Sequence, residues 1–164
     1  GTLSKSFCGC GGYIAGSRAL ADLIRYTSPG FVYSVGMPPP LAAASAEALR
    51  IMLAEPWRVQ KLQASSRRFL ELARERGLDT GLAEGTAVMP VLVGDSLVAL
   101  ALAQILRGRG VLVNPVFYPG VEEGKARLRL FISAHHEEED LRLAADAIAQ
   151  ALPEARAMVA AHAR

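Results

Sequence analysis

The chain lacks any hydrophobic run long enough to cross a membrane. The longest, Leu97 to Leu106, contains Gln104 and is about half of the ~20 residues that a span requires. No membrane partner is therefore expected. There is no initiator methionine, and no basic segment leads into an apolar one with a small-residue cleavage site. No secretory signal is visible, and the start reads as processed or as the edge of a fragment. Cysteine is scarce: Cys8 and Cys10 are the only two, and no second Cys or Cys/His pair stands at zinc spacing. That leaves two free thiols near a turn and no expected metal. Reduced thiols suit a cytoplasmic protein. An excess of either charge is also missing, with 18 basic and 16 acidic residues. Lysine is confined to Lys5, Lys61 and Lys125, and the basic residues are mixed with acids along prospective helices. Such mixing marks solvated faces, not a nucleic-acid footprint.

What is present suffices for a core. Of 164 residues, 51% are apolar and 21% charged, the composition of a folded soluble domain. The length fits one domain, or a small domain with a piece of another.

The local signals alternate between strand and helix. Gly12 to Ser17 reads as a strand entering a helix that Ser17 caps, which then runs from Arg18 to about Tyr26 and stops before Ser28-Pro29-Gly30. Phe31 to Met37 is a connecting segment stiffened by Pro38-Pro39-Pro40. Leu41 to Ala54 is a strong helix former with Leu49 and Leu53 one turn apart. A further helix is predicted from Trp57 to Arg76, burying Val59, Leu62, Phe69, Leu70 and Ala73 and stopped by Gly77.

Thr86 to Val93 is an apolar strand. A helix capped by Asp95 or Ser96 follows to about Arg107, with Leu97, Ala101, Leu102, Ile105 and Leu106 on one face and Gly108 and Gly110 at its end. Val111 to Phe117 and Arg127 to Ser133 alternate as strands. Glu137 to Leu152 is a helix with Leu141, Ala144, Ala145, Ile148 and Leu152 inward, after which Pro153 interrupts. From residue 56 onward this order predicts a small α/β sandwich with helices on one face of the sheet. The first forty residues are too few for their own core and read as the trailing edge of a larger domain.

The residue with the most chemical potential is Lys5, in Gly1-Thr2-Leu3-Ser4-Lys5-Ser6. The phosphate-loop pattern fails here, because Ser4 precedes the Lys-Ser pair where glycine is required. The dinucleotide fingerprint fails because Ile14 stands where the third glycine should be. What remains is a hydroxyl and amine cluster beside glycines, suited to an anionic cofactor and an amine nucleophile. Spacing alone leaves Lys5 open between that role and a solvated loop lysine.

Five segments in order carry a resemblance. Gly1-Thr2-Leu3-Ser4-Lys5 with Gly11-Gly12-Tyr13-Ile14-Ala15-Gly16-Ser17 resembles the Schiff-base segment of the α-oxoamine synthases, pyridoxal-phosphate acyltransferases of the class I/II aminotransferase fold. Phe31-Val32-Tyr33-Ser34 before Met37-Pro38-Pro39 resembles the family's dimer-interface segment. Val91 to Ser96, Arg109 to Pro115 and Lys125 to Arg129 resemble its small-domain blocks. In detail the chain is most similar to synthase domains of polyketide and nonribosomal assembly lines.

The resemblance implies a fold-type-I transferase. Residues 1–40 would be the end of the large cofactor domain, residues 41–55 a connecting helix, and residues 56–164 the small C-terminal domain. It implies pyridoxal 5'-phosphate as cofactor, with Lys5 as Schiff-base lysine and base, Thr2 on the phosphate, and Ser34 reaching the phosphate in a partner subunit of a homodimer. Where the family offers further hydroxyl residues, this chain has Val35 and Gly36. Arg129 would clamp the amino acid's α-carboxylate, since a planar fork matches it bidentately. Arg127 shares the strand face by alternation, and the resemblance is the reason for choosing Arg129.

The implied reaction is decarboxylative condensation of an amino acid with an acyl thioester of coenzyme A or an acyl-carrier protein. Little activity is expected of the 164 residues by themselves. Two other readings stay open: a truncated, non-catalytic interaction domain, and an aminotransferase of the same fold. His135 and His136 read as a turn into the acidic first turn Glu137 to Asp140. Glu137 replaces the threonine cap usual in the family, so this helix start is expected to fray.

Overall fold

Helix ends in this chain are decided by a few polar and glycine positions. In the computed structural model, which describes residues 1–162, Ser17 Oγ accepts the Leu20 N–H at 3.3 Å. It thereby starts helix α1, Arg18–Thr27. A short helix α2, Pro29–Val32, and helix α3, Pro39–Ala54, follow. The chain divides between Pro56 and Trp57 into two units, and α1 to α3 belong to the first. The predicted strand over residues 12–17 is not formed. Thr2 and Gly12 make one isolated antiparallel bridge, and no neighbouring strand extends it. A strand is stabilised by its partner, which local sequence does not supply.

The second unit begins with α4, Trp57–Glu75. It buries Phe69, Leu70, Leu72 and Ala73, while Val59 is exposed. Strand β1 is Val88–Gly94, helix α5 is Ser96–Gly108, strand β2 is Asn114–Val116, strand β3 is Ala126–Phe131, and helix α6 is Glu138–His162. Asp95 caps α5 as predicted, its carboxylate accepting from Leu97 N–H at 2.7 Å and Val98 N–H at 2.9 Å. Helices α4 and α5 end alike. Gly77 and Gly110 adopt φ of +69° and +82°. The next residue in each case, Leu78 or Val111, returns its N–H to Ala73 or Leu106 at 3.0 and 2.9 Å. This closure requires the left-handed backbone that glycine adopts without steric cost.

The sheet order is β1-β3-β2. Both pairings with β3 are antiparallel, so β3 inserts between two strands joined through α5, a split β-α-β arrangement. Only Asn114, Pro115 and Val116 register with Arg129, Leu128 and Arg127, which limits β2 to those residues, short of the expected span. Alternation puts Met89, Val91 and Val93 with Ala126, Leu128 and Leu130 on the buried face. The opposite face carries Val88, Pro90 and Leu92 with Arg127, Arg129 and Phe131. Helix α6 packs on both α4 and α5, and the predicted sandwich of this unit is borne out.

Two helical faces depart from expectation. In α5 the buried residues are Val98, Ala99, Leu102 and Leu106, whereas Leu97 is exposed. Helix α6 passes through Pro153. That proline is exposed, while Ala151 and Ala155 on either side are fully buried. Their packing carries the helix past one lost backbone hydrogen bond. The start of α6 is held without a threonine, because the Asp140 carboxylate accepts the Glu137 N–H at 2.9 Å.

Ion pairs link α4 and the residue that follows it to α6 and the residue that precedes it: Lys61 with Glu137, Arg68 with Glu138 and Arg76 with Asp146. Exposed pairs of this kind are screened by solvent and contribute little. Fully burying one Leu or Phe side chain contributes about 1.5–3 kcal/mol, so the apolar face decides the docking. No helix among the described residues is long and apolar enough to cross a membrane.

Candidate functional site

Lys5 rides on a tight loop closed by backbone. Leu3 N–H donates to Gly11 O at 3.0 Å and Leu3 O accepts from Gly9 N–H at 2.8 Å. Inside that clasp the Cys8 N–H donates to Lys5 O at 2.9 Å, with Cys8 at a φ of +49°. Gly12 is required for the clasp: a Cβ there would stand 2.5 Å from the Gly1 carbonyl oxygen. Below the loop, the Ser45 hydroxyl from α3 is buried without a hydrogen-bond partner. A Cβ on Gly9 would come within 2.8 Å of it.

The loop gathers the polar atoms. Thr2 Oγ1 and Ser4 Oγ share a hydrogen bond of 3.0 Å, and Lys5 Nζ donates to Ser4 Oγ at 3.3 Å. All three side chains are exposed. Thr2 and Lys5 are therefore brought together, with Ser4 as the link. Ser4 stands in the quoted motif but had no assigned role; adjacency to both neighbours was the available signal.

Ser34 stands apart from this cluster. Its hydroxyl donates to Phe31 O at 3.2 Å and accepts from Gly36 N–H at 3.3 Å, and among the described residues no hydrogen bond joins it to the Lys5 loop. A cleft of about 520 Å³ in the same unit is lined by Tyr13, Ile14, Ile24, Arg25 and Phe31, among others. Neither Lys5 nor Thr2 lines it, so the candidate chemistry sits on an open loop.

Arg129 belongs to the second unit. The two arginines of its strand face are in different states. Arg127 is half-buried and its Nε donates to Lys125 O at 3.1 Å. Arg129 is exposed, forms no ion pair among the described residues, and lies over the Phe131 ring with Cζ 5.1 Å from the centroid. Phe131 had no place in the sequence reading, although its i+2 spacing from Arg129 on a strand was the signal for a shared face.

His136 Nδ1 accepts the Ser133 N–H at 3.2 Å and the His135 N–H donates to Ser133 Oγ at 3.0 Å. The pair is thus a turn, as expected. Among the described residues no group of three or more His, Cys, Asp or Glu side chains is placed to hold a metal ion.

A pyridoxal phosphate needs an amine for its aldehyde and hydroxyl donors for its phosphate. Lys5, Ser4 and Thr2 supply both kinds of atom in one hydrogen-bonded group, so the donor set fits that cofactor.

Comparison with known proteins agrees. The family model described as aminotransferase class I and II matches residues 1–148. The 8-amino-7-oxononanoate synthase of Methylobacterium nodulans is 46% identical over 155 residues, covering 94% of this chain and 38% of that protein. The synthase of the same name from Symbiobacterium thermophilum is 42% identical over 150 residues, covering 92% and 38%. The chain thus spans about two-fifths of the curated relatives that it matches.

Among solved structures, Sphingomonas wittichii serine palmitoyltransferase superposes with a TM-score of 0.85 at 24% identity, covering 95% of this chain and 39% of that one. An 8-amino-7-oxononanoate synthase from Francisella tularensis gives 0.81 at 19% identity, covering 93% and 44%. These likenesses bear out the fold-type-I transferase architecture. The chain belongs to the aminotransferase class I and II family, and its resemblance within that family is to the α-oxoamine synthases.

Proposed function

We propose that this chain is the C-terminal portion of a pyridoxal-phosphate-dependent α-oxoamine synthase, which condenses an amino acid with an acyl thioester. Residues 1–40 would close the large cofactor domain, residues 41–55 connect, and residues 56–164 form the small domain. The observation that carries the reading is the Lys5, Ser4 and Thr2 cluster, at the head of a chain that matches the family through residue 148. The names of the relatives support the reaction type.

In this reading Lys5 would hold the cofactor's aldehyde carbon through Nζ, and Thr2 would donate its hydroxyl to the phosphate. Bound there, pyridoxal phosphate supplies an electron sink for a carbanion at the amino acid's α-carbon. Lys5 Nζ would also be the base that accepts the amino acid's α-proton. Arg129 would hold the α-carboxylate in its fork, and its guanidinium, exposed and in no ion pair among the described residues, leaves that fork available. The net reaction joins the α-carbon to the acyl carbon and releases carbon dioxide and free thiol. Ser34 would serve the partner's site across a homodimer interface, and the enzyme would work in the cytoplasm on coenzyme A or carrier-protein thioesters.

Product analysis on the full-length protein tests this reading. Release of carbon dioxide and thiol together, dependent on both substrates and lost in Lys5→Ala, is expected. Formation of an oxo acid with neither release would assign the chain to an aminotransferase of the same fold. Absence of any product would favour a non-catalytic domain.

A further inference from the structure

We propose that Phe131 is a positioning residue for Arg129 and thereby sets the affinity for the amino acid's α-carboxylate; this rests on the reading of Arg129 as the carboxylate clamp. The two residues are two apart on β3 and face away from the core. A long exposed side chain loses rotamer entropy whenever it must be held for a ligand. Most arginines whose partners are resolved here are held by an acid: Arg50 by Glu47, Arg68 by Glu138, Arg76 by Asp146 and Arg109 by Glu154.

That solution fails for a clamp, because an acidic side chain occupies the same fork that the substrate needs. Phe131 offers a different restraint. Its ring lies beneath the guanidinium carbon, with Cζ 5.1 Å from the centroid, and attracts the cation through its π face without offering the N–H donors a carboxylate oxygen. The ring can therefore hold Arg129 without bringing the negative charge by which an acid would compete with the substrate's carboxylate.

The neighbours leave this arrangement intact. Across the sheet Arg129 stands opposite Pro90 and Asn114, and Phe131 stands opposite Val88. None of these carries charge. The one cation flanking Arg129 on its own face, Arg127, is engaged with the Lys125 carbonyl. Among the described residues Arg129 is thus left with an aromatic contact and no ion pair on its fork.

Kinetics of the full-length enzyme loaded with pyridoxal phosphate test the role. Phe131→Leu is expected to raise the amino-acid KM about two- to fivefold, the effect of losing one exposed cation–π contact. The KM for the thioester, kcat and the Lys5-dependent absorbance of bound cofactor should hold. Phe131→Trp, which offers a stronger face, should keep the amino-acid KM at or below its original value. By NMR, the Arg129 Nε–Hε resonance should lie upfield from the ring current and return toward its free position in Phe131→Leu.

Arg129→Lys separates this proposal from the reading beneath it. If Arg129→Lys raises the amino-acid KM and Phe131→Leu does not, the positioning role is overturned and the clamp stands. If Arg129→Lys leaves that KM unchanged, the clamp itself is wrong. A Phe131→Leu variant that loses bound cofactor or kcat along with KM, or a Phe131→Trp variant as impaired as leucine, also overturns the positioning role.

Discussion

Residues 1–56 and residues 57–162 use apolar side chains in opposite ways. In the first unit Tyr13, Ile14, Leu23, Tyr26, Tyr33, Val35 and Leu53 are all exposed, and the one buried side chain is Ser45. In the second, every buried apolar residue from Phe69 to Ala155 joins one core. The first unit holds the amine and hydroxyls proposed to bind the cofactor, yet its helices bury no apolar side chain. The second holds a sheet and three packed helices. The contrast teaches that the candidate amine and hydroxyls sit in a unit whose apolar side chains are left exposed, whereas the unit that carries Arg129 has a closed core of its own.

The sharpest way to break this comparison is to separate the two. Residues 57–164 alone should unfold cooperatively in urea and protect the amides of β1, β3 and α6 from exchange. Residues 1–56 alone should exchange throughout within the dead time. Protection in the shorter piece comparable to that in the longer would abolish the contrast.

Point deletions sharpen it. Leu102→Ala, at a fully buried site, should cost about 2–5 kcal/mol of unfolding free energy. Leu53→Ala, at a side chain 72% exposed in the first unit, should stay within about 0.5 kcal/mol. Equal effects would mean that the apparent core carries no special stability.

The smallest effect is electrostatic. A hydrogen bond from Arg68 holds the Glu138 carboxyl below its ordinary value of 4.5. Arg76 does the same for Asp146, from 3.8. A lowered folded pKa gives stability that is present above the unfolded value and lost as pH falls through the folded one. Replacing Arg68 and Arg76 with Met should therefore lower stability modestly at neutral pH, with the two stability curves converging as pH drops below about 4. Parallel curves would show that these pairs add nothing to the docking of α4 on α6.

Much of the second unit was legible because its signals are local. Asp95 before an apolar-periodic run and glycine at 77 and 110 fix ends by hydrogen bonds made within a few residues. The failures are where distant partners decide. Gly12 to Ser17 has strand composition, but among the described residues it makes only the isolated bridge of Gly12 with Thr2. Pro153 should stop a helix, yet buried Ala151 and Ala155 carry α6 onward. Leu97 and Val98 are equally apolar neighbours, and only packing chooses Val98 for the core. The site shows the same division. Spacing left Lys5 open and the resemblance alone singled out Thr2 and Lys5; the structure joins the two through Ser4, which a short loop makes possible. That Phe131 shares a face with Arg129 followed from their i+2 spacing on the predicted strand; that the two side chains meet needed the structure.

Borohydride trapping on the full-length protein with pyridoxal phosphate, followed by peptide mass analysis, tests the role of Lys5 most directly. A reduced phosphopyridoxyl group on the peptide containing Lys5, absent from Lys5→Ala, is the expected result. A label on another lysine with Lys5 unmodified, or no label at all, would contradict it.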